Sequence, residues 1–116
     1  MRLLFAVMAL ACSTVLALAA DPVGSYRVTG SNPGNGSRYQ GTVSVSRTGQ
    51  TYRVVWVIGN SRYVGTGIGN HEGLAVSYKS GNSSGLALYG ADGGNWEGVW
   101  TYSGGHEIGT EVWKRQ

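Results

Sequence analysis

From Gly24 onward the chain alternates between apolar and polar positions. Tyr26 and Val28 flank Arg27. Tyr39, Gly41, Val43 and Val45 alternate with Gln40, Thr42, Ser44 and Ser46. The same beat returns in Tyr52, Val54, Trp56 and Ile58, in Leu74, Val76 and Tyr78, and in Trp96, Gly98, Trp100 and Tyr102. A period of two marks strands with one buried face. It predicts eight strands, at Gly24–Ser31, Arg38–Arg47, Thr51–Ile58, Arg62–Gly69, Gly73–Lys79, Gly85–Gly90, Asn95–Tyr102 and Glu107–Lys114. No stretch of useful length repeats at the helical period, and all 20 glycines lie beyond residue 20, where they break helices throughout.

The segments between these strands are short and rich in turn formers. They include Thr48-Gly49, Gly59-Asn60, Asn70-His71, Gly81-Asn82-Ser83, Asp92-Gly93-Gly94 and Gly104-Gly105, with a longer loop at Asn32–Gly36. Loops of this length cannot carry a crossover between parallel strands. The expected fold is all-β: an eight-stranded antiparallel up-and-down meander, closed into a small barrel because closure removes exposed edges. The apolar faces are expected to line the interior. An aromatic residue and a glycine two apart recur in Tyr39-Gln40-Gly41-Thr42, Tyr63-Val64-Gly65-Thr66 and Trp96-Glu97-Gly98-Val99. This predicts bends at glycine covered by neighbouring rings.

The first twenty residues are of another kind. Met1-Arg2 precedes an uncharged run, Leu3–Ala20, that ends in small residues, with Ala17-Leu18-Ala19 fitting the small-x-small rule. This predicts a helical export signal at residues 1–20, cleaved after Ala19 or Ala20, ahead of a single domain at residues 21–116 with no membrane span. Cys12 follows Ala9-Leu10-Ala11, a loose likeness to a lipidation motif, but the apolar run continues past it. Cys12 is therefore read as part of the signal. The mature chain has no cysteine, so no disulfide can compensate for its small core.

Candidate chemistry is sparse. His71-Glu72 and His106-Glu107 pair imidazole with carboxylate, but a meander puts them at opposite ends, and each alone supplies too few ligands for a metal. They are read as solvated turn residues. No serine sits in a nucleophile elbow. Neither a catalytic site nor a cofactor is expected. Glu111 shares strand parity with Gly109 and Trp113 and is expected to point inward. Its role there is either a structural partner for an Arg or Tyr near the barrel's closing strands or an acceptor for a ligand. Gly65, Gly67 and Gly69 leave interior space on the fourth strand. Filling by Trp56, Trp96 and Trp100 is the expectation, and a pocket walled by these rings is the alternative.

Charge is unevenly spread. Residues 21–70 hold five arginines and one acid, a balance of +4, whereas residues 71–116 hold three bases and five acids, a balance of −2. The mature net charge of +2 is too weak to suggest nucleic acid. Arg27 and Arg53 fall on outward positions, which suit either solvation or an anionic partner.

The stretches Tyr63-Val64-Gly65-Thr66-Gly67-Ile68-Gly69, Leu86-Ala87-Leu88-Tyr89-Gly90 and Gly109-Thr110-Glu111-Val112-Trp113 are the most specific parts of a wider likeness. Through them nearly all of the chain after the signal is similar to a family of small exported proteins from Gram-negative bacteria, notably alphaproteobacteria of soil and plants. Its members are commonly labelled fibronectin-binding proteins. The resemblance implies export to the periplasm or beyond and an extracellular matrix protein as partner; it implies no catalytic residues. In architecture, the predicted meander is also similar to barrels of the avidin and lipocalin type. The leading expectation is a binding or adhesion module of the cell envelope, whose partner is a matrix protein or an anionic envelope polymer. The alternative is a carrier of a small apolar ligand inside the barrel. A structural envelope protein ranks third and an enzyme last. The tentative ligand-binding set is Trp56, Trp96, Trp100, Glu111, Arg27 and Arg53.

Overall fold

A computed structural model describes residues 21–116; the expected signal and Cys12 lie outside the described residues. Eight strands follow one another: β1 Gly24–Ser31, β2 Arg38–Thr48, β3 Thr51–Ile58, β4 Ser61–Gly69, β5 Gly73–Ser80, β6 Ser83–Asp92, β7 Asn95–Tyr102 and β8 Gly109–Arg115. Each pairs antiparallel with the next, and β8 pairs with β1, which closes the barrel. The alternation therefore located all eight strands. The main differences are β6, longer at both ends than expected, and β8, which starts at Gly109 and leaves His106 and Glu107 in the preceding loop.

Two-residue turns set the register. Thr48 faces Thr51, Ile58 faces Ser61 and Ser80 faces Ser83. In each the first turn residue is a glycine, with φ of 61°, 60° and 57° at Gly49, Gly59 and Gly81, and among the described residues no other residue type has positive φ. That is the type II′ arrangement, whose twist matches the flanking strands.

The barrel has two unlike ends. At one, the segment before β1 folds across the opening. Pro22 is fully buried and its carbonyl accepts a hydrogen bond from the Tyr26 hydroxyl at 2.6 Å. Arg115 fastens this segment, its guanidinium donating to the carbonyls of Asp21, Val23 and Gly94 while lying 4.7 Å over the Tyr26 ring. Above this plug Tyr26, Trp96, Trp113, Val28, Val43 and Val54 fill the interior. The Tyr89 and Trp113 ring centroids lie 4.2 Å apart, and those of Tyr26 and Trp113 5.5 Å apart. At the other end stand the 32–37 loop and the turns at Gly59-Asn60 and Gly81-Asn82, with the loop of residues 103–108. This end is open. His71 and His106 lie at opposite ends.

The glycines make room for rings, but across strands and not within one. Tyr39 stands opposite Gly30, Tyr78 opposite Gly85, Tyr89 opposite Gly98 and Trp100 opposite Gly109. A Cβ at any of these four glycines would fall within 3 Å of the facing ring. Each ring thus lies down over the bare backbone of its neighbour, which is how a narrow barrel holds so many aromatics. The β4 glycines are filled differently from the expectation. Val76 and Trp56 close on Gly65 and Leu74 on Gly67, and neither Trp96 nor Trp100 is among the nearest groups at either.

Gly98→Ala should therefore destabilise the barrel by about 1–3 kcal/mol in urea unfolding, because its Cβ would meet the Leu88 carbonyl and the Tyr89 ring. Gly90→Ala, whose Cβ meets nothing within 4 Å, should change stability by no more than about 0.5 kcal/mol. Equal effects at the two positions would show that ring contact does not decide where glycine is required.

Candidate functional site

Inside the open end lies a cavity of about 330 Å³. Its size falls within the range of small-molecule sites, about 300–1,000 Å³. The walls are mostly aromatic. Tyr39, Trp56 and Tyr63 come from β2, β3 and β4, Tyr78 from β5, and Trp100 and Tyr102 from β7. Successive rings meet edge to face: Tyr63 with Tyr78 at 87°, Tyr78 with Trp100 at 69°, Trp100 with Tyr102 at 78° and Tyr39 with Trp100 at 74°. Such pairs contribute about 0.5–1.5 kcal/mol each beyond the area they bury, so they brace one another in a fixed box. Asn32 and Ser83 sit at the rim, and Ile58 adds an apolar side.

Glu111 also faces this cavity and is only 5% exposed. Four side chains from four strands converge on it. Trp56 Nε1, Tyr89 Oη and Trp113 Nε1 donate to its Oε1 at 3.1, 2.7 and 2.9 Å, and Tyr39 Oη donates to its Oε2 at 2.6 Å. Every contact is a donor, the pattern that an acceptor-only carboxylate requires. Hydrogen bonds to a charged group contribute about 1.5–3 kcal/mol each, so four of them offset the several kcal/mol of burying a carboxylate. Among the described residues no lysine or arginine lines the cavity. The structural partner expected for Glu111 is thus found among tyrosines and tryptophans, and the arginine alternative is not realised.

The surroundings hold the tyrosines neutral. Burial is the main cause of the raised pKa at Tyr39, Tyr78 and Tyr89, and the Glu111 charge adds to it at all three. Tyr78 is pushed up to about 12, and Tyr39 and Tyr89 go far above the ordinary phenol range. The Trp100 indole N–H is buried without a hydrogen-bond acceptor.

Of the residues singled out from the sequence, Trp56, Trp100 and Glu111 come together at the cavity. Trp96 does not. It is fully buried beside Trp113 in the layer towards the plugged end, and takes no part in the walls. The shared strand parity of Trp96 and Trp100 gave their face correctly but not their level. Arg27 and Arg53 are exposed on the outer surface and are no part of the cavity. Tyr39, Tyr63, Tyr78, Tyr89 and Tyr102 belong to the site and were missing from the candidate set. Three of them already lay on faces assigned to the interior. Tyr89 was masked because Leu86 and Leu88 look like the buried face of β6, yet they are 56% and 61% exposed while Ala87 and Tyr89 point in.

Comparison with known proteins identifies the architecture alone. No protein-family model matches the chain, and no curated protein does. Among solved structures the chain is similar to a redesigned β-barrel, with a TM-score of 0.70 and 20% identity, over 82% of this chain and 91% of that one.

Because folding raises the tyrosine pKa values, the folded state binds those protons more tightly than the unfolded chain. The stability they contribute is complete below about pH 10. It should fall as pH rises from there through the Tyr78 value of about 12. Phenolate absorbance followed with unfolding should show Tyr39 and Tyr89 ionising only with loss of the barrel. Their ionisation in an intact barrel would contradict the geometry around Glu111.

Proposed function

We propose that this protein is a binding protein that holds a small, largely apolar ligand in the mouth of its barrel. The observation that carries the reading is the cavity of about 330 Å³, open at one end and walled by braced aromatic rings over a fixed carboxylate. Eight-stranded barrels either fill their interior or hold one small ligand. Here the lower half is filled and the upper half is hollow. Rings locked by their neighbours lose little entropy when a ligand arrives, which favours affinity. The export signal read at residues 1–20 would place this binder in the periplasm or outside the cell.

The neutral apolar fluorophore N-phenyl-1-naphthylamine tests the reading. It should bind saturably, with energy transfer from Trp56 and Trp100. Ser83→Trp, a change at an exposed rim position, should weaken binding at least about fivefold, roughly 1 kcal/mol. Binding unaffected by Ser83→Trp would place the probe outside the barrel mouth.

A second reading, adhesion to a matrix protein or anionic polymer, draws on the outer surface. Arg27 stands directly opposite Lys114 across the β1–β8 pair, and both are exposed. Like charges in cross-strand register repel, and an anionic partner would relieve the repulsion. Purified protein should then bind fibronectin saturably, with affinity that falls as salt rises through about 0.1 M and above, and that is lowered in the Arg27→Gln, Lys114→Gln double variant. Binding insensitive to both would remove this surface from consideration.

A further inference from the structure

The mouth cavity carries a charge that a purely apolar ligand would not use. Among the described residues Glu111 is its one acidic side chain, and no basic side chain lines it. The four donors around the carboxylate are neutral indole and phenol groups, so they stabilise it without cancelling its charge. They are also unevenly shared. Oε1 accepts three hydrogen bonds and Oε2 only one, from Tyr39. A carboxylate oxygen takes about two donors, so one direction on Oε2 remains open. Above it, Tyr63, Tyr78, Trp100 and Tyr102 form a chain of rings set steeply to one another. Aromatic faces are electron-rich, and walls at steep angles present faces and edges around one volume, the arrangement that surrounds alkylammonium groups.

We infer that the ligand of this cavity is a small organic cation, an alkylated ammonium group on a compact apolar body, seated among the four rings with its charge directed at Glu111. The inference rests on the barrel-mouth reading and narrows it. An anionic ligand would meet an uncompensated carboxylate in a poorly solvated site. A neutral one would gain nothing from the charge that the barrel holds in place. Tyr63 and Tyr102 supply the outer walls, and Tyr102, 45% exposed, stands where the ligand enters.

The test compares choline with 3,3-dimethylbutanol, which has the same shape with carbon in place of the charged nitrogen. Calorimetric titration of the purified protein should show saturable choline binding, with the neutral isostere at least about tenfold weaker. Glu111→Gln should bring choline down towards the isostere, so that the preference for the cation is lost. Should that variant not fold, Tyr63→Leu, which leaves all four donors to Glu111 in place, should also lower choline affinity selectively. Equal or tighter binding of the isostere would overturn the inference, as would a folded Glu111→Gln variant with undiminished choline affinity. If N-phenyl-1-naphthylamine binds at the mouth and choline does not, the cation inference fails and the binding site stands. If neither binds, both fall.

Discussion

Four hydrogen bonds to one carboxylate tie together strands that are distant in sequence. Glu111 on β8 receives Tyr39 from β2, Trp56 from β3, Tyr89 from β6 and, from its own strand, Trp113. The backbone ladder fixes each strand against its two neighbours only. The carboxylate instead couples strands across the interior, at the level where the filled core gives way to the hollow mouth. An unpaired carboxylate there would cost several kcal/mol, and each donor left without it would be a buried polar group without a partner. The barrel's cross-section at that level is therefore set by one group that tolerates little displacement.

The rest of the interior follows from packing large rings into a narrow tube without a disulfide. An eight-stranded barrel has room for little more than one layer of side chains across its axis. Four of the rings enter where the facing strand gives up its side chain, in the pairs Tyr39–Gly30, Tyr78–Gly85, Tyr89–Gly98 and Trp100–Gly109. The same device empties the mouth. Rings that lie over glycine backbone lean towards the wall and leave the axis free above Ala87. At the far end, where Pro22 and Arg115 close the tube, Trp96 and Trp113 are fully buried within the core.

Period-two alternation made the strands legible, tight glycine turns required their antiparallel order, and the need to remove exposed edges pointed to closure. It also placed Glu111 inside. What it could not supply was height along the barrel axis. Trp56, Trp96 and Trp100 have the same inward parity, but Trp96 and Trp100 stand near opposite ends of β7, so Trp96 falls to the level of Trp113 while Trp100 rises to Gly109. Parity itself became ambiguous on β6, where both faces are apolar and only the pairing of Gly85 with Tyr78 and Tyr89 with Gly98 decides which points in. The donors to Glu111 were unreadable for a related reason. Apart from Trp113, they come from positions up to 72 residues away from Glu111, brought together by the closed sheet and not by any spacing along the chain.

A buried charge is poor value for stability alone. Apolar groups of similar volume commonly serve a core as well or better than a buried ion. Here replacing Glu111 by an apolar residue would strand four donors, so removing the charge without cost would require exchanging the tyrosines and tryptophans together with it. The five side chains form one polar unit that the barrel keeps or loses as a whole. Such a unit is rigid before anything enters the mouth, and its one unused acceptor direction belongs to Oε2. Whatever the cavity accepts meets a carboxylate already held in position, so recognition of charge there costs little further ordering of the protein. The interaction that fixes the barrel's cross-section is thus also the one that gives its cavity a sign.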